Sequence, residues 1–178
     1  MASAAFTDPR EGIWEASFDT YYDTFFEEYV ADGLITRWSR VDDITKILVT
    51  ATASTSAIAG WALWNQEGFR TGWVILSGIA ALLSIIVTSL GVSNRIKTHA
   101  ENKRRFVGLR VDLETFRMKM RRDPAFDIPS FAKEFDDYRR RYSDNVQLLS
   151  NDTLRFNRFD KKMQLQVNTR LAGEIIQQ

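Results

Sequence analysis

Two long uncharged stretches, separated by only four residues, constrain this sequence more than any other feature. The first runs from Ile47 to Gln66 and contains 20 residues, and the second runs from Thr71 to Asn94 and contains 24. A helix needs about 20 consecutive, mainly apolar residues to cross the hydrocarbon core of a bilayer. The sequence therefore predicts an all-α membrane protein built on a two-helix transmembrane hairpin, with spans at about 44–66 and 71–94.

Basic residues flank both predicted spans on the side away from the connecting loop, which carries only Arg70. They are Arg37, Arg40 and Lys46 before the first span and Arg95, Lys97, Lys103, Arg104 and Arg105 after the second. Because Lys and Arg are enriched in cytoplasmic loops, this asymmetry predicts that both termini are cytoplasmic.

The predicted hairpin divides the chain into three regions. Residues 1–43 form an acidic, aromatic arm, residues 44–94 the hairpin, and residues 95–178 a C-terminal helical region. No segment alternates apolar and polar residues as a half-buried strand would, so helices are expected throughout.

The spacing of apolar residues and caps predicts where the cytoplasmic helices begin and end. In the arm, a helix over 9–40 is expected to pack against another helix and to break or bend at Gly33. In the C-terminal region, helices are expected over 95–122, from Ser130 onward, and after a cap at Asn151 or Asp152.

Charge is unevenly distributed between the two cytoplasmic regions. Residues 1–46 hold four Lys or Arg against ten Asp or Glu, whereas residues 95–123 hold ten against four. The basic run Lys103, Arg104 and Arg105, together with the basic residues from Arg117 to Arg122, has three interpretations: a solvated helix face, pairing with the acidic arm, or binding of an anionic partner such as nucleic acid, a nucleotide or a lipid headgroup. Sequence-specific binding of nucleic acid is not expected.

Residues with catalytic potential are scarce. The chain has no cysteine and a single histidine, His99, which is expected at the surface. No nucleophile, phosphate-loop or metalloprotease motif occurs. Adjacent carboxylates such as Asp136 and Asp137 point in different directions on a helix, which makes them poor acid–base pairs. We therefore expect a non-enzyme with no catalytic residue, no metal site and no cofactor.

Small and hydroxyl-bearing residues recur at helical spacing within both predicted spans. They are Ser77, Ala81, Ser84, Thr88 and Gly91 in the second span and Thr52 and Ser56 in the first. Such stripes allow close helix packing in lipid. Alternatively, they line a pore in a homo-oligomer, since two spans cannot enclose a conduit within one chain, and Asp42 and Asp43 would then form its cytoplasmic mouth.

The layout resembles the SLATT family of two-span effectors in bacterial defence systems. The resemblance lies in Trp38-Ser39-Arg40 before the hairpin, Ser93-Asn94-Arg95 after it, and Tyr138 and Tyr142 in a later helix. It implies an oligomeric pore-forming or membrane-disrupting effector that depolarises the bacterial inner membrane when a companion sensor protein or a nucleotide signal triggers it. The alternatives are a membrane-anchored helical scaffold and a constitutive small channel subunit.

Overall fold

The computed structural model describes residues 8–63, 67–147, 149 and 151–176, with some helical side chains inside these ranges left undescribed. Every element in this part of the chain is helical. The five helices are α1 (Pro9–Leu63), α2 (Glu67–Leu90), α3 (Val92–Arg122), α4 (Ile128–Gln147) and α5 (Asn157–Ile176). The prediction of an all-α protein is confirmed.

The predicted transmembrane hairpin is wrong. In the described part of the chain, no helix combines enough length and apolar character to cross a membrane. The described part of α1 is charged as far as Lys46, and α2 begins with Glu67 and ends ahead of Gly91, whose φ of 60° interrupts the helical path. The uncharged stretches that lie within these helices, 47–63 in α1 and 71–90 in α2, are thus shorter than the uncharged runs counted in the sequence. Residues 64–66 of the predicted first span lie outside the described residues.

Helix α1 continues through Gly33 without interruption, so the predicted break there is wrong. A Cβ atom at this position would lie 2.7 Å from Cε2 and Cζ of Phe159 and 3.1 Å from Sδ of Met163. Such distances to the ring are shorter than van der Waals contact. Glycine is therefore required here because α5 approaches the α1 backbone closely, and the helix tolerates the modest cost in helix propensity.

Aspartates that accept backbone hydrogen bonds lie at the starts of α1 and α4 and in the turn before α5. Asp8 Oδ1 accepts from Arg10 N at 2.9 Å at the start of α1, and Asp127 Oδ2 accepts from Ser130 N at 3.1 Å at the start of α4. These bonds occupy N–H groups that the first turn of a helix leaves without an internal partner. The predicted α5 cap is wrong, since Asp152 closes a turn ahead of the helix, which begins at Asn157.

The chain divides into two compact units, and the first comprises residues up to Leu34 together with residues from His99 onward. Its core is a cluster of buried apolar side chains from α3, the following turn and α4: Leu109, Leu113, Phe116, Met120, Phe126 and Phe135. Side chains from the first turns of α1, including Ile13 and Trp14, pack against this cluster. The aromatic residues of the acidic arm thus pack against other helices, as their spacing predicts.

The second unit comprises Ile35–Thr98. Trp38 is 2% exposed and Val92 is 2% exposed, and the guanidinium of Arg95 lies 5.1 Å from the centroid of the Trp38 ring. Nine of the fourteen large hydrophobic side chains that are exposed in the described part of the chain belong to this unit: Ile44, Ile47, Val49, Val74, Ile75, Ile79, Leu82, Ile85 and Ile86. The second unit therefore places much of its apolar surface outward.

Candidate functional site

Ion pairs connect the acidic face of α1 to the basic face of α3 within the first unit. Lys103 Nζ lies 2.6 Å from Asp32 Oδ1, and Arg110 Nε donates to Glu28 Oε2 at 2.8 Å. Of the three interpretations of the basic run, pairing with the acidic arm therefore describes Lys103. Its ammonium already has a carboxylate partner and is a weak candidate for binding an anion.

A buried bidentate ion pair joins α1 to the segment before α5. Arg155 Nη1 and Nη2 donate to Glu27 Oε2 and Oε1 at 2.9 and 2.8 Å, and the two side chains are 14% and 6% exposed. Burial raises the pKa of Glu27, because desolvation of the carboxylate outweighs the opposing hydrogen bonds and charge of Arg155. The sequence shows no signal for this pair, since 128 residues separate its members.

Arginines at the C-terminal end of α3 stack on aromatic rings of α1. The Arg117 guanidinium lies 4.3 Å from the Trp14 ring centroid and 4.8 Å from that of Phe18, and Arg121 lies 5.6 Å from Trp14. These distances fit cation–π contacts. Desolvation by burial lowers the pKa of Arg117. This part of the basic face is thus occupied in holding α1 against α3.

His99 is buried, and its predicted surface location is wrong. Its side chain is 4% exposed, and Nε2 lies 2.9 Å from Oδ2 of Asp152, which is 3% exposed. Nδ1 of His99 and Nδ2 of Asn102, one helical turn later, are buried and have no hydrogen-bond partner. A lone histidine among charged residues looks solvent-exposed in the sequence, and only the tertiary fold brings Asp152 over it.

Arg104 and Arg105 differ from their neighbour Lys103. Both are exposed, and they line a groove of about 540 Å³ between α3 and α4 together with Gly108, Arg141, Asp144 and Asn145. Among the candidate residues for an anionic partner, these two thus retain solvent-facing guanidinium groups.

The residues predicted to line a pore or to pack helices together differ in how exposed they are. Ser77 and Ser84 are half-buried, Ala81 is exposed, and Gly91 is half-buried directly after the helix. The side chains of Thr88, Thr52 and Ser56 are outside the described part of the structure. The two aspartates predicted to form the pore mouth differ in their surroundings. Asp42 forms an ion pair with Lys46 at 2.6 Å, while Asp43 is exposed. A pore of spanning helices has no basis once the hairpin is corrected.

No group of three or more His, Asp or Glu residues placed to hold a metal ion occurs in the described ranges. His99 and Asp152 form a buried imidazole–carboxylate contact, but two residues are fewer than the three or four protein ligands of a typical zinc site.

Comparison with known proteins finds no match for the chain. No family model, no curated protein and no solved structure matches it. The function must therefore be argued from the geometry of this chain.

Proposed function

We propose that this chain is an oligomeric, non-enzymatic effector that disrupts the bacterial inner membrane. The observation that supports the proposal is the exposed aliphatic face of α2. Six large side chains on this helix are 48–63% exposed: Val74, Ile75, Ile79, Leu82, Ile85 and Ile86. Soluble monomeric proteins rarely expose contiguous apolar patches of more than a few hundred Å², and larger ones mark interaction surfaces.

These six side chains form one face and are not scattered around the helix. At about 100° per residue they fall within an arc of about 140°. Ala80, which is 5% exposed, lies outside this arc, as do the half-buried Ser77 and Ser84. Helix α2 therefore packs partly through Ser77, Ala80 and Ser84 and presents these six aliphatic side chains outward.

Lipid is the partner that suits this face. Between Val74 and Ile86 the arc contains only aliphatic side chains and Gly78, with no group able to form a directional hydrogen bond or ion pair, and no residue from Thr71 to Asn94 is charged. The hydroxyl residues Thr71 and Ser89 lie on the same face at its two ends. Helices that lie in the membrane interface bury an apolar face of this kind at the boundary between headgroups and acyl chains. We therefore place α2 against the lipid surface, a position that requires no crossing of the bilayer.

Exposed apolar side chains on α1 of the same unit support oligomerisation: Ile44 and Ile47 form a patch about 60° wide, and Val49 lies at least about 140° from either of them. Ile44, Ile47 and Val49 of α1 are 58%, 67% and 38% exposed. A second copy of the chain is the proposed partner for this patch, because several copies acting together displace more lipid than one helix can.

The first unit is the proposed control element. Its charged and aromatic contacts make a stable platform, and a companion sensor protein or a nucleotide signal acting there would activate the second unit. This division of labour, and the role in bacterial defence, come from the resemblance to the SLATT family carried by Trp38-Ser39-Arg40 and Ser93-Asn94-Arg95.

The test uses the purified full chain with vesicles of phosphatidylethanolamine and phosphatidylglycerol that hold a fluorescent dye. Flotation measures binding, and dye release measures disruption. We expect both, and we expect the double substitution Leu82→Ser with Ile86→Ser to weaken binding at least about tenfold, since a fully buried Leu or Ile side chain is worth about 1.5–3 kcal/mol.

The matched control is Leu165→Ser on α5, because Leu165 is 66% exposed and Leu82 is 62% exposed. This control should bind like the parent chain. Binding without dye release would contradict the effector function and favour a membrane-attached scaffold. A chain that does not float with vesicles, or a double variant that floats as well as the parent, would refute the membrane proposal.

A further inference from the structure

The groove between α3 and α4 has the size of a small-molecule site. Its lining comes from Arg104, Arg105 and Gly108 on α3 and from Arg141, Asp144 and Asn145 on α4, and its volume is about 540 Å³. Pockets that hold small ligands commonly measure about 300–1,000 Å³. We propose that this groove binds a phosphate ester that also carries hydroxyl or amino groups.

The positive charge of the groove is available to a ligand. Neither Arg104 nor Arg105 forms an ion pair, a hydrogen bond or a ring contact in the described part of the chain. By contrast, Lys103 and Arg110 on the same helix each have a carboxylate partner. Guanidinium groups bind phosphate oxygens through paired hydrogen bonds. Two neighbouring arginines without a carboxylate partner therefore favour a ligand with a phosphate group over an uncharged ligand.

Gly108 leaves space between the two arginines. At about 100° per residue it falls between Arg104 and Arg105 in angle and lies one turn further along α3. Apart from the neighbouring residues and the backbone of its own helix, no atom would lie within 4 Å of a Cβ atom at this position. A glycine inside a helix costs about 0.5–1 kcal/mol relative to alanine, and nothing in the packing requires it here. The open space gives a ligand close access to the helix surface.

The opposite wall adds polar groups of both kinds. Arg141 Nη1 donates to Asp112 Oδ2 at 2.9 Å, which fixes the guanidinium while leaving its other N–H groups available. Asp144 and Asn145 follow on the same face of α4 and supply a carboxylate and an amide. A carboxylate beside three arginines repels bare phosphate but accepts hydrogen bonds from hydroxyl or amino groups, and this is why the ligand is an ester bearing such groups.

This site lies within the first unit and does not depend on the membrane role of the second. Binding can therefore be measured in solution without lipid, and its failure would leave the proposed membrane activity untouched. Calorimetric titration of the full chain would use three probes: ATP, glycerol 3-phosphate and inorganic phosphate.

We expect an ester to bind more tightly than inorganic phosphate. Arg104→Gln and Arg105→Gln should each weaken binding about three- to tenfold and reduce its dependence on salt, because each removes a charge from the site. Gly108→Leu, which keeps a good helix former, should abolish binding by filling the groove. The matched control is Arg122→Gln, an exposed arginine at the end of the same helix, which should bind nearly as the parent does.

The probes also identify the source of the ester. Tight binding of ATP indicates a free organic phosphate, whereas preference for glycerol 3-phosphate indicates a lipid headgroup. The proposal is overturned if no probe binds, if inorganic phosphate binds as well as the esters, or if Arg104→Gln, Arg105→Gln and Gly108→Leu leave binding unchanged.

Discussion

Replacing Gly33 by alanine should destabilise the first unit, although alanine is the better helix former. Helix propensity alone would favour Gly33→Ala by about 0.5–1 kcal/mol. The new Cβ atom, however, would lie 2.7 Å from two ring atoms of Phe159. That ring is 2% exposed and adjoins Met163, which is 5% exposed, so it has little room to move away. Overpacking of this kind costs about 1–3 kcal/mol, and the net effect is a loss of up to about 2 kcal/mol.

Gly108→Ala supplies the matched comparison in the same unit. Gly108 is also inside a helix, but an added Cβ atom there meets nothing within 4 Å. Since both substitutions gain the same helix propensity, the difference between them isolates the steric cost at Gly33, about 1–3 kcal/mol. For a chain of this size, a loss of 1 kcal/mol lowers the unfolding midpoint by about 2–4 °C.

The assay is thermal and urea unfolding of both variants, followed by circular dichroism. Gly108→Ala should unfold at a higher temperature than the parent and Gly33→Ala at a lower one. In a Phe159→Leu background the cost of Gly33→Ala should shrink, because the ring that it meets is gone. Equal stability changes for the two glycine substitutions would refute the explanation of Gly33 as a site of close helix approach.

Two further predictions concern the charged contacts of the first unit. Glu27→Gln should cost about 1–3 kcal/mol in urea unfolding, because it removes the charge paired with the Arg155 guanidinium and leaves only the longer contact of Arg155 with Asp160 at 3.3 Å, whereas Asp137→Asn at an exposed ion pair should cost less than about 1 kcal/mol; similar losses would contradict the burial argument. At Glu134, burial raises the pKa, but the hydrogen bonds from Lys119 and Tyr138 outweigh it and hold the pKa below its ordinary value of 4.5. A lowered folded-state pKa stabilises the protein above the unfolded pKa, and this contribution is lost as the pH falls through the folded value. Glu134→Gln should therefore be less stable than the parent at pH 7 and approach it in urea titrations below about pH 4.5, and a difference that grows on acidification would contradict this assignment.

Local patterns in the sequence were sufficient for the helical class and for much of the first unit. The spacing of Phe116, Phe135 and Tyr138 predicts the helix faces that meet in the structure, where the Phe116 and Phe135 rings lie 6.1 Å apart. Proline and aspartate near residues 124–130 likewise mark the junction between α3 and α4. These features depend on residues close together in the chain, and hydrophobic periodicity reports them directly.

The membrane hairpin was predicted wrongly because counting uncharged residues does not locate helix ends. Gly91 counts as an uncharged residue whether a helix continues through it or ends before it. Only its positive φ in the structure shows that α2 ends before it. The candidate groove shows a similar limit. Sequence order groups Lys103 with Arg104 and Arg105, yet the fold pairs the first with Asp32 and turns the other two toward α4.

Residue order therefore determined which segments are helical and which faces are apolar, because both follow from interactions within a few turns. Tertiary structure alone decided that Gly33 admits Phe159, that His99 meets Asp152, and that Glu27 meets Arg155. Each of these contacts joins residues more than 50 positions apart. Steric fit and the pairing of buried charges act through space, so the chain must fold before they exist.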